Sequence, residues 1–240
     1  MRAEAMMCLA ILPEDLVVGI GYARQSLHHT FDRMQFGDNE HRRFYNIALG
    51  KTCEATLVRF LRQHGIPHLS RQGATPHTQP DHFDLRVLQE IVDLKTFKVP
   101  KDIATPNRLL DCLALVPDHH ARDQWARRQH YQRYLFGYFT GELRLERHTP
   151  ARQPGNSGSA STPVIQTENM ALKVLSQPRV LYVAAAPSIA ECEQKFRIVP
   201  PGSKCAQYPG GTRIRNRGCP IAELTSFNKF LNKMDDFRRR

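Results

Sequence analysis

Two adjoining segments, residues 83–88 (FDLRVL) and 90–97 (EIVDLKTF), constrain the fold of this chain more than any other feature. Each alternates between apolar and polar side chains, which is the period of a β-strand with one buried face. A turn at Leu88–Gln89 would join them as an antiparallel hairpin in which the numbers of paired residues add up to 177. Neither Leu nor Gln is typical of a two-residue turn, where Asn and Gly prevail. The sequence therefore predicts a hairpin with a defined register and an unusual turn.

Three charged side chains share one face of this hairpin. The register pairs Asp84 directly with Asp93, at a Cβ separation of about 4.5–5.5 Å, and alternation puts Lys95 beside them. Asp81 is the alternative first carboxylate, but it falls on the other face in the same register. Opposed like charges destabilise a hairpin unless a cation lies between them, and Mg²⁺ commonly uses one or two carboxylates together with substrate phosphate. Since a neighbouring lysine can hold the attacking water and stabilise the transition state, the pattern is typical of phosphodiester hydrolysis.

These residues resemble the PD-(D/E)xK nuclease superfamily, which has the restriction-endonuclease-like fold. Its members carry an acid, a short gap and an apolar strand with (D/E)-x-K, and often a glutamate on an upstream helix. Here residues 39–65 have the three- and four-residue apolar spacing of an amphipathic helix, interrupted or kinked near Gly50 and ended by Gly65. Glu54 lies between these two glycines. The likeness covers about residues 45–140.

The resemblance implies a site, a cofactor and a fold. It implies that Glu54, Asp84 and Asp93 bind Mg²⁺ or Mn²⁺, with Lys95 as the fourth catalytic residue, which activates the water. Asp93 stands where glutamate is the commoner residue of the family. The implied fold class is α/β, a mixed β-sheet flanked by helices, with a restriction-endonuclease-like core and C-terminal additions.

The rest of the chain fits a single α/β domain with late additions. Residues 109–116 and 179–186 are predicted as buried strands, and residues 134–147 as a hairpin that turns at Thr140–Gly141. We expect four regions, which are an N-terminal extension (1–38), a nuclease core (39–150), a flexible linker (151–163) and a basic C-terminal segment (164–240). The last of these either completes the core or binds nucleic acid.

The excess of positive over negative charge is confined to the second half of the chain. Residues 1–120 carry 14 basic and 14 acidic residues, whereas residues 121–240 carry 20 and nine, which gives the net charge of +11. A one-sided excess of arginine is typical of a polyanion binder, although a generally basic proteome or a basic tail, such as the terminal FRRR, remains the alternative. The residues predicted to contact nucleic acid are Lys98, Lys101, Arg127, Arg128, Arg133, Arg213, Arg215 and Arg217.

These observations favour a Mg²⁺-dependent DNA endonuclease, and a homodimer fits this reading because symmetric dimers can cut both strands. The alternatives are a nuclease that acts on RNA or on branched structures, a nucleic-acid-binding protein without turnover, and a protein that binds an acidic partner. The apolar runs are too short to span a membrane and no secretory signal is evident, so we expect a cytoplasmic protein. Six cysteines without a CxxC pair favour inert thiols over a disulfide framework or a metal cluster.

Overall fold

A mixed β-sheet organises the structure, a computed structural model that describes residues 1–27, 40–70, 85–118, 128–147, 170–174 and 179–232. The strands are β1 (Met7–Ala10), β2 (His68–Ser70), β3 (Leu85–Val87), β4 (Glu90–Lys98), β5 (Leu113–Pro117), β6 (Arg133–Thr140), β7 (Leu143–Arg147), β8 (Met170–Val174), β9 (Val180–Ala185), β10 (Arg197–Val199) and β11 (Asn216–Pro220). The helices are α1 (Pro13–Ser26), α2 (Glu40–Gln63), α3 (Pro106–Leu109), α4 (Ile189–Lys195) and α5 (Phe227–Leu231).

Six strands form the main sheet, in the order β1-β9-β6-β4-β3-β2. Strands β4 and β6 are parallel, and every other neighbouring pair in this sheet is antiparallel. A three-stranded sheet, β10-β11-β5, and the pair β7-β8 complete the described strands. The predicted class, a mixed α/β fold with a mixed sheet flanked by helices, is confirmed.

Each face of the main sheet has its own apolar core. On the first, which we call the α2 face, α1 and α2 pack against strand residues such as Val92 and Leu135. On the second, which we call the β5 face, β5, β11 and α4 pack against Tyr134, Phe136 and Tyr138 of β6. Because side chains alternate along a strand, every residue of β4 belongs to one of these two faces.

The β3–β4 hairpin has the predicted register. Leu85 pairs with Val92 and Val87 pairs with Glu90, so paired residue numbers add up to 177. The turn residues Leu88 and Gln89 have φ values of 50° and 70°, a left-handed conformation that costs about 1–2 kcal/mol for a residue with a Cβ atom. Burial of the apolar face therefore determines the register of the hairpin, although this register requires an unfavourable turn conformation.

Replacing Gln89 with glycine is expected to raise the free energy of unfolding by about 1 kcal/mol, because glycine adopts a positive φ without steric cost. Urea denaturation would measure the gain. Gln89→Ala keeps the Cβ atom and is the matched control, which should show no stabilisation. Equal midpoints for Gln89→Gly and wild type would contradict the strained turn.

Helix α2 differs from the prediction at one point and agrees at another. It runs without interruption from Glu40 to Gln63, across Gly50, so the predicted interruption there is absent. A Cβ atom at Gly50 would meet no atom of a neighbouring element within 4 Å, so no close approach requires glycine at this position. Gly65 follows the helix with a φ of 61°, as predicted for a glycine that ends a helix.

The predicted hairpin across Thr140–Gly141 is wrong. Strand β6 is buried at all eight positions and lies between β4 and β9, so both of its hydrogen-bonding edges are already occupied. Strand β7 pairs with β8 instead. A strand buried on both faces reads as a continuous apolar run, and the sequence resembled an edge hairpin only locally.

Both terminal regions contribute to the main sheet. Strand β1 belongs to the region predicted as an N-terminal extension, and it pairs with β9 from the region predicted as a C-terminal segment. Strand β9 also pairs with β6, so the second of these regions completes the main sheet. The predicted linker, residues 151–163, lies outside the described residues.

Candidate functional site

Asp93 and Lys95 form a close ion pair on the β5 face of the main sheet. The distance between Lys95 Nζ and Asp93 Oδ2 is 2.6 Å, and the two side chains are 16% and 12% exposed, respectively. Alternation along β4 puts both on the face opposite to Val92 and Leu94, which pack into the α2-face core. The pair is therefore largely shielded from bulk solvent, although part of each side chain remains accessible. Charges in such a site interact more strongly than charges on an open surface.

Tyr134 lies directly beside this pair and was not predicted from the sequence. It is the parallel-strand partner of Asp93, and its ring centroid is 5.8 Å from Lys95 Nζ. Burial, reinforced by the negative charge of Asp93, raises the pKa of the Tyr134 phenol well above its ordinary value. Tyr134 therefore remains a neutral hydrogen-bonding group at physiological pH.

Arg128 lies just before β6 in the chain, near the start of the strand that carries Tyr134. It belongs to a short 3-10 helix (Arg128–His130), and its Nε lies 2.9 Å from Glu193 Oε1 of α4. Tyr131, which follows that helix, has its ring centroid 6.1 Å from that of Tyr134. Arg128 was predicted to contact nucleic acid, and its backbone carbonyl accepts a hydrogen bond from the Tyr131 amide at 2.9 Å.

The structure does not bring Glu54 to Asp93. Glu54 is buried on α2, where its carboxylate lies 2.8 Å from Lys51 Nζ of the same helix. Helix α2 packs on the α2 face, whereas Asp93 and Lys95 project from the β5 face. The sheet therefore separates this carboxylate from the ion pair beside which the family resemblance had implied it would lie.

Two predicted site residues, Asp84 and Arg127, lie outside the described residues. Within the described part of the chain, no group of three or more His, Cys, Asp or Glu side chains is arranged to hold a metal ion. Asp93 is the only one of the three predicted metal ligands that the described residues place beside Lys95.

The predicted nucleic-acid contacts on β4 and after it are dispersed. Lys98 ends β4 on the α2 face, with its Nζ 5.4 Å from the ring centroid of Tyr45. Lys101 is exposed and lies 3.1 Å from Glu142. Both lysines are surface cations, and Lys98 lies on the face of the sheet opposite to Asp93.

Arg133, which was predicted to contact nucleic acid, is buried and has its guanidinium paired within the fold. Its side chain is only 6% exposed, and its guanidinium forms two hydrogen bonds with Glu90, of 2.8 and 3.2 Å. It also donates to the carbonyl of Ala186 and stacks on the ring of Phe230. A guanidinium engaged on all sides in the interior is not available to a phosphate.

Arg215 and Arg217 converge on one buried carboxylate. Asp118, whose side chain is 8% exposed, accepts hydrogen bonds through its Oδ2 from Arg215 Nη2 at 3.1 Å and from Arg217 Nε at 3.0 Å. Arg213 is exposed nearby in the chain. Asp118 is 97 and 99 residues away from its partners in sequence, so no local pattern could have identified it.

The cysteines are thiols, and four of them are buried. Burial raises the pKa of Cys112 and of Cys219 to about 12, so both remain protonated at physiological pH. A protonated, buried thiol is a poor nucleophile and a poor metal ligand. Cys112 and Cys219 both belong to the apolar core of the β5 face.

Comparison of this chain with protein-family models, with curated proteins and with solved structures gives no match. Among the residues that the structure describes, no helix has the length and apolar character needed to cross a bilayer.

Proposed function

We propose that this protein is a divalent-metal-dependent nuclease that hydrolyses phosphodiester bonds, with DNA as the substrate. The observation that carries the proposal is the Asp93–Lys95 ion pair, which is held at 2.6 Å on one face of a central strand. Side chains at adjacent strand positions point to opposite faces of the sheet, whereas those two positions apart share a face. The Asp-x-Lys spacing therefore places both charged groups on the same face. Apolar residues would pack better at positions 93 and 95. We therefore attribute the charged residues at these positions to function.

The resemblance to the PD-(D/E)xK superfamily supports this proposal through three features. These are the Asp-x-Lys strand, the antiparallel strand that precedes it and the mixed sheet flanked by helices. The observed register of β3 and β4 is the one from which the two-carboxylate site was predicted, with paired residue numbers that add up to 177. Glu54 has the weakest support of the proposed ligands, because its helix covers the other face.

The donor chemistry of Asp93 fits Mg²⁺ or Mn²⁺, since these ions prefer carboxylate oxygens and take their remaining ligands from water and substrate phosphate. When bound, such an ion would activate water and neutralise charge that develops on the phosphate. Asp93 would hold the ion, and Asp84 would be its second ligand.

The chain's own groups each have a defined task in this proposal. The Lys95 ammonium orients the attacking water and offers positive charge to the phosphate oxygens as they become more negative. Asp93 fixes the position of that ammonium. The neutral Tyr134 phenol lies against the pair and excludes water from one side of it, which strengthens the electrostatic interactions there.

The test is cleavage of supercoiled plasmid by wild type and by Asp93→Asn, each with Mg²⁺ and with EDTA. We expect nicking by wild type in Mg²⁺ only, and at least ~10²-fold slower nicking by Asp93→Asn, because an amide cannot supply the negative charge. Equal nicking by the two proteins, or nicking that persists in EDTA, would overturn the proposal. Parallel reactions with single-stranded DNA, branched DNA and RNA identify the substrate.

A nucleic-acid-binding protein without turnover is the second candidate function. It is favoured by the exposed arginines around Asp118, which require no catalytic group. Metal-dependent cleavage separates the two functions, since a binding protein without turnover would leave the plasmid intact in Mg²⁺ as well as in EDTA.

A further inference from the structure

We propose that residues 197–218, which we call the basic lobe, bind the sugar-phosphate backbone of the nucleic acid without regard to sequence. The inference rests on the proposed function, because it names the surface that holds that substrate. The lobe comprises β10, the following loop and most of β11. It adjoins the candidate site through Tyr208, whose ring lies edge-on to Phe97 at 6.3 Å between centroids.

Phe97 links the lobe to the proposed catalytic face. It lies two residues after Lys95 on β4 and so projects from the same face. It packs in the β5-face core, to which β11 also contributes. The lobe is therefore packed against the strand that carries the Asp93–Lys95 pair.

The charge of the lobe has a single sign. Residues 197–218 include no Asp or Glu, and their five basic residues are Arg197, Lys204, Arg213, Arg215 and Arg217. Four of these are exposed and the fifth, Arg217, is partly exposed. Such a surface attracts polyanions, and arginine presents a planar fork of donors that matches phosphate oxygens.

Asp118 turns two of these arginines into a fixed pair. Arg215 and Arg217 both donate to its Oδ2, so one negative charge holds two positive charges and leaves an excess of one. Arginines tethered in this way lose less rotamer entropy when they bind a phosphate than free side chains would. Asp118 is therefore a positioning residue for the basic lobe.

The loop that connects the strands of the lobe is rigidly built. Gly211 has a φ of 91°, and a Cβ atom there would lie 2.6 Å from the carbonyl oxygen of Gly202. Thr212 donates through its hydroxyl to the Pro200 carbonyl, at 2.8 Å. The buried side chain of Gln207 makes two hydrogen bonds to the backbone of Leu113 in β5. The cations are therefore mounted on a pre-organised surface, which reduces the entropic cost of binding.

The test compares DNA affinity and its salt dependence for wild type and for Arg215→Gln/Arg217→Gln. Binding of a fluorescein-labelled 20-base-pair duplex is followed by anisotropy in EDTA, so that cleavage plays no part. Two lost phosphate contacts should lower the slope of log K against log salt by about 2 and weaken binding about 10- to 100-fold at 0.1 M salt. A second duplex of unrelated sequence should be affected equally, since backbone contacts carry no sequence information.

The matched control is Arg62→Gln/Arg108→Gln, which removes two exposed positive charges from α2 and α3. It should change the salt slope far less than the lobe variant. Equal effects of the two variants would overturn the inference, because net charge alone would then explain binding. Displacement of the duplex by polyglutamate at equal charge concentration would also overturn it and would indicate an acidic protein partner. If Asp93→Asn cleaves like wild type while the lobe variant loses affinity, the nuclease proposal fails and the binding surface stands.

Discussion

Replacing Lys95 with alanine is expected to slow plasmid cleavage by ~10²–10³-fold while DNA affinity in EDTA stays within a few-fold of wild type. The ammonium of Lys95 lies in a partly shielded site, 2.6 Å from the Asp93 carboxylate, where one fixed charge contributes more than it would in water. Single-turnover cleavage with enzyme in excess measures the chemical step apart from binding. An unchanged affinity together with a slower step would assign Lys95 to catalysis.

Lys98→Ala is the comparison that makes this prediction specific to one face. It removes the same charge from the same strand, three residues later, but from the face that packs against Tyr45 of α2. It should slow cleavage at most a few-fold, through binding, and Lys95→Arg should recover only part of the rate because a guanidinium has a different shape. Comparable losses for Lys95→Ala and Lys98→Ala would show that neither lysine has a catalytic role.

The hairpin could be predicted because burial of one face determines register. Alternation in residues 83–97 specified which side chains pack, and the structure adopts that register although Leu88 and Gln89 must take positive φ values. The shared face of Asp93 and Lys95 follows from the same period. The local sequence pattern was therefore sufficient to predict a structure formed by two strands that are adjacent in sequence.

Features that depend on distant parts of the chain could not be predicted. The helical pattern around Glu54 indicates an amphipathic helix, but it does not specify which face of the sheet that helix will cover. Strand β6 resembled one half of a hairpin, whereas its actual partners are β4 and β9. Asp118 and its arginines are joined across almost 100 residues. In each case tertiary pairing decided what the local sequence left open.

Arg133 provides the second large expected effect, which concerns stability rather than DNA. Arg133→Ala should lower the free energy of unfolding by about 3 kcal/mol, the lower end of the range for breaking a buried ion pair, because Glu90 keeps some contact with solvent. The variant loses both hydrogen bonds to Glu90, the bond to the Ala186 carbonyl and the contact with Phe230, 4.5 Å from ring centroid to guanidinium carbon. Urea denaturation measures this loss.

If Arg133 has a structural role, the stability of a control variant and the DNA affinity of Arg133→Ala should both remain close to those of wild type. Arg108→Ala is the matched control, since that guanidinium is 61% exposed and lies 4.0 Å from Asp111, and its loss should cost no more than about 0.5 kcal/mol. In a double-mutant cycle, adding Glu90→Gln to Arg133→Ala should restore part of the lost stability, because it removes the carboxylate left without its partner. DNA affinity of folded Arg133→Ala should equal that of wild type. Weakened binding with unchanged stability would instead return Arg133 to the nucleic-acid interface, since only an accessible guanidinium could produce that result.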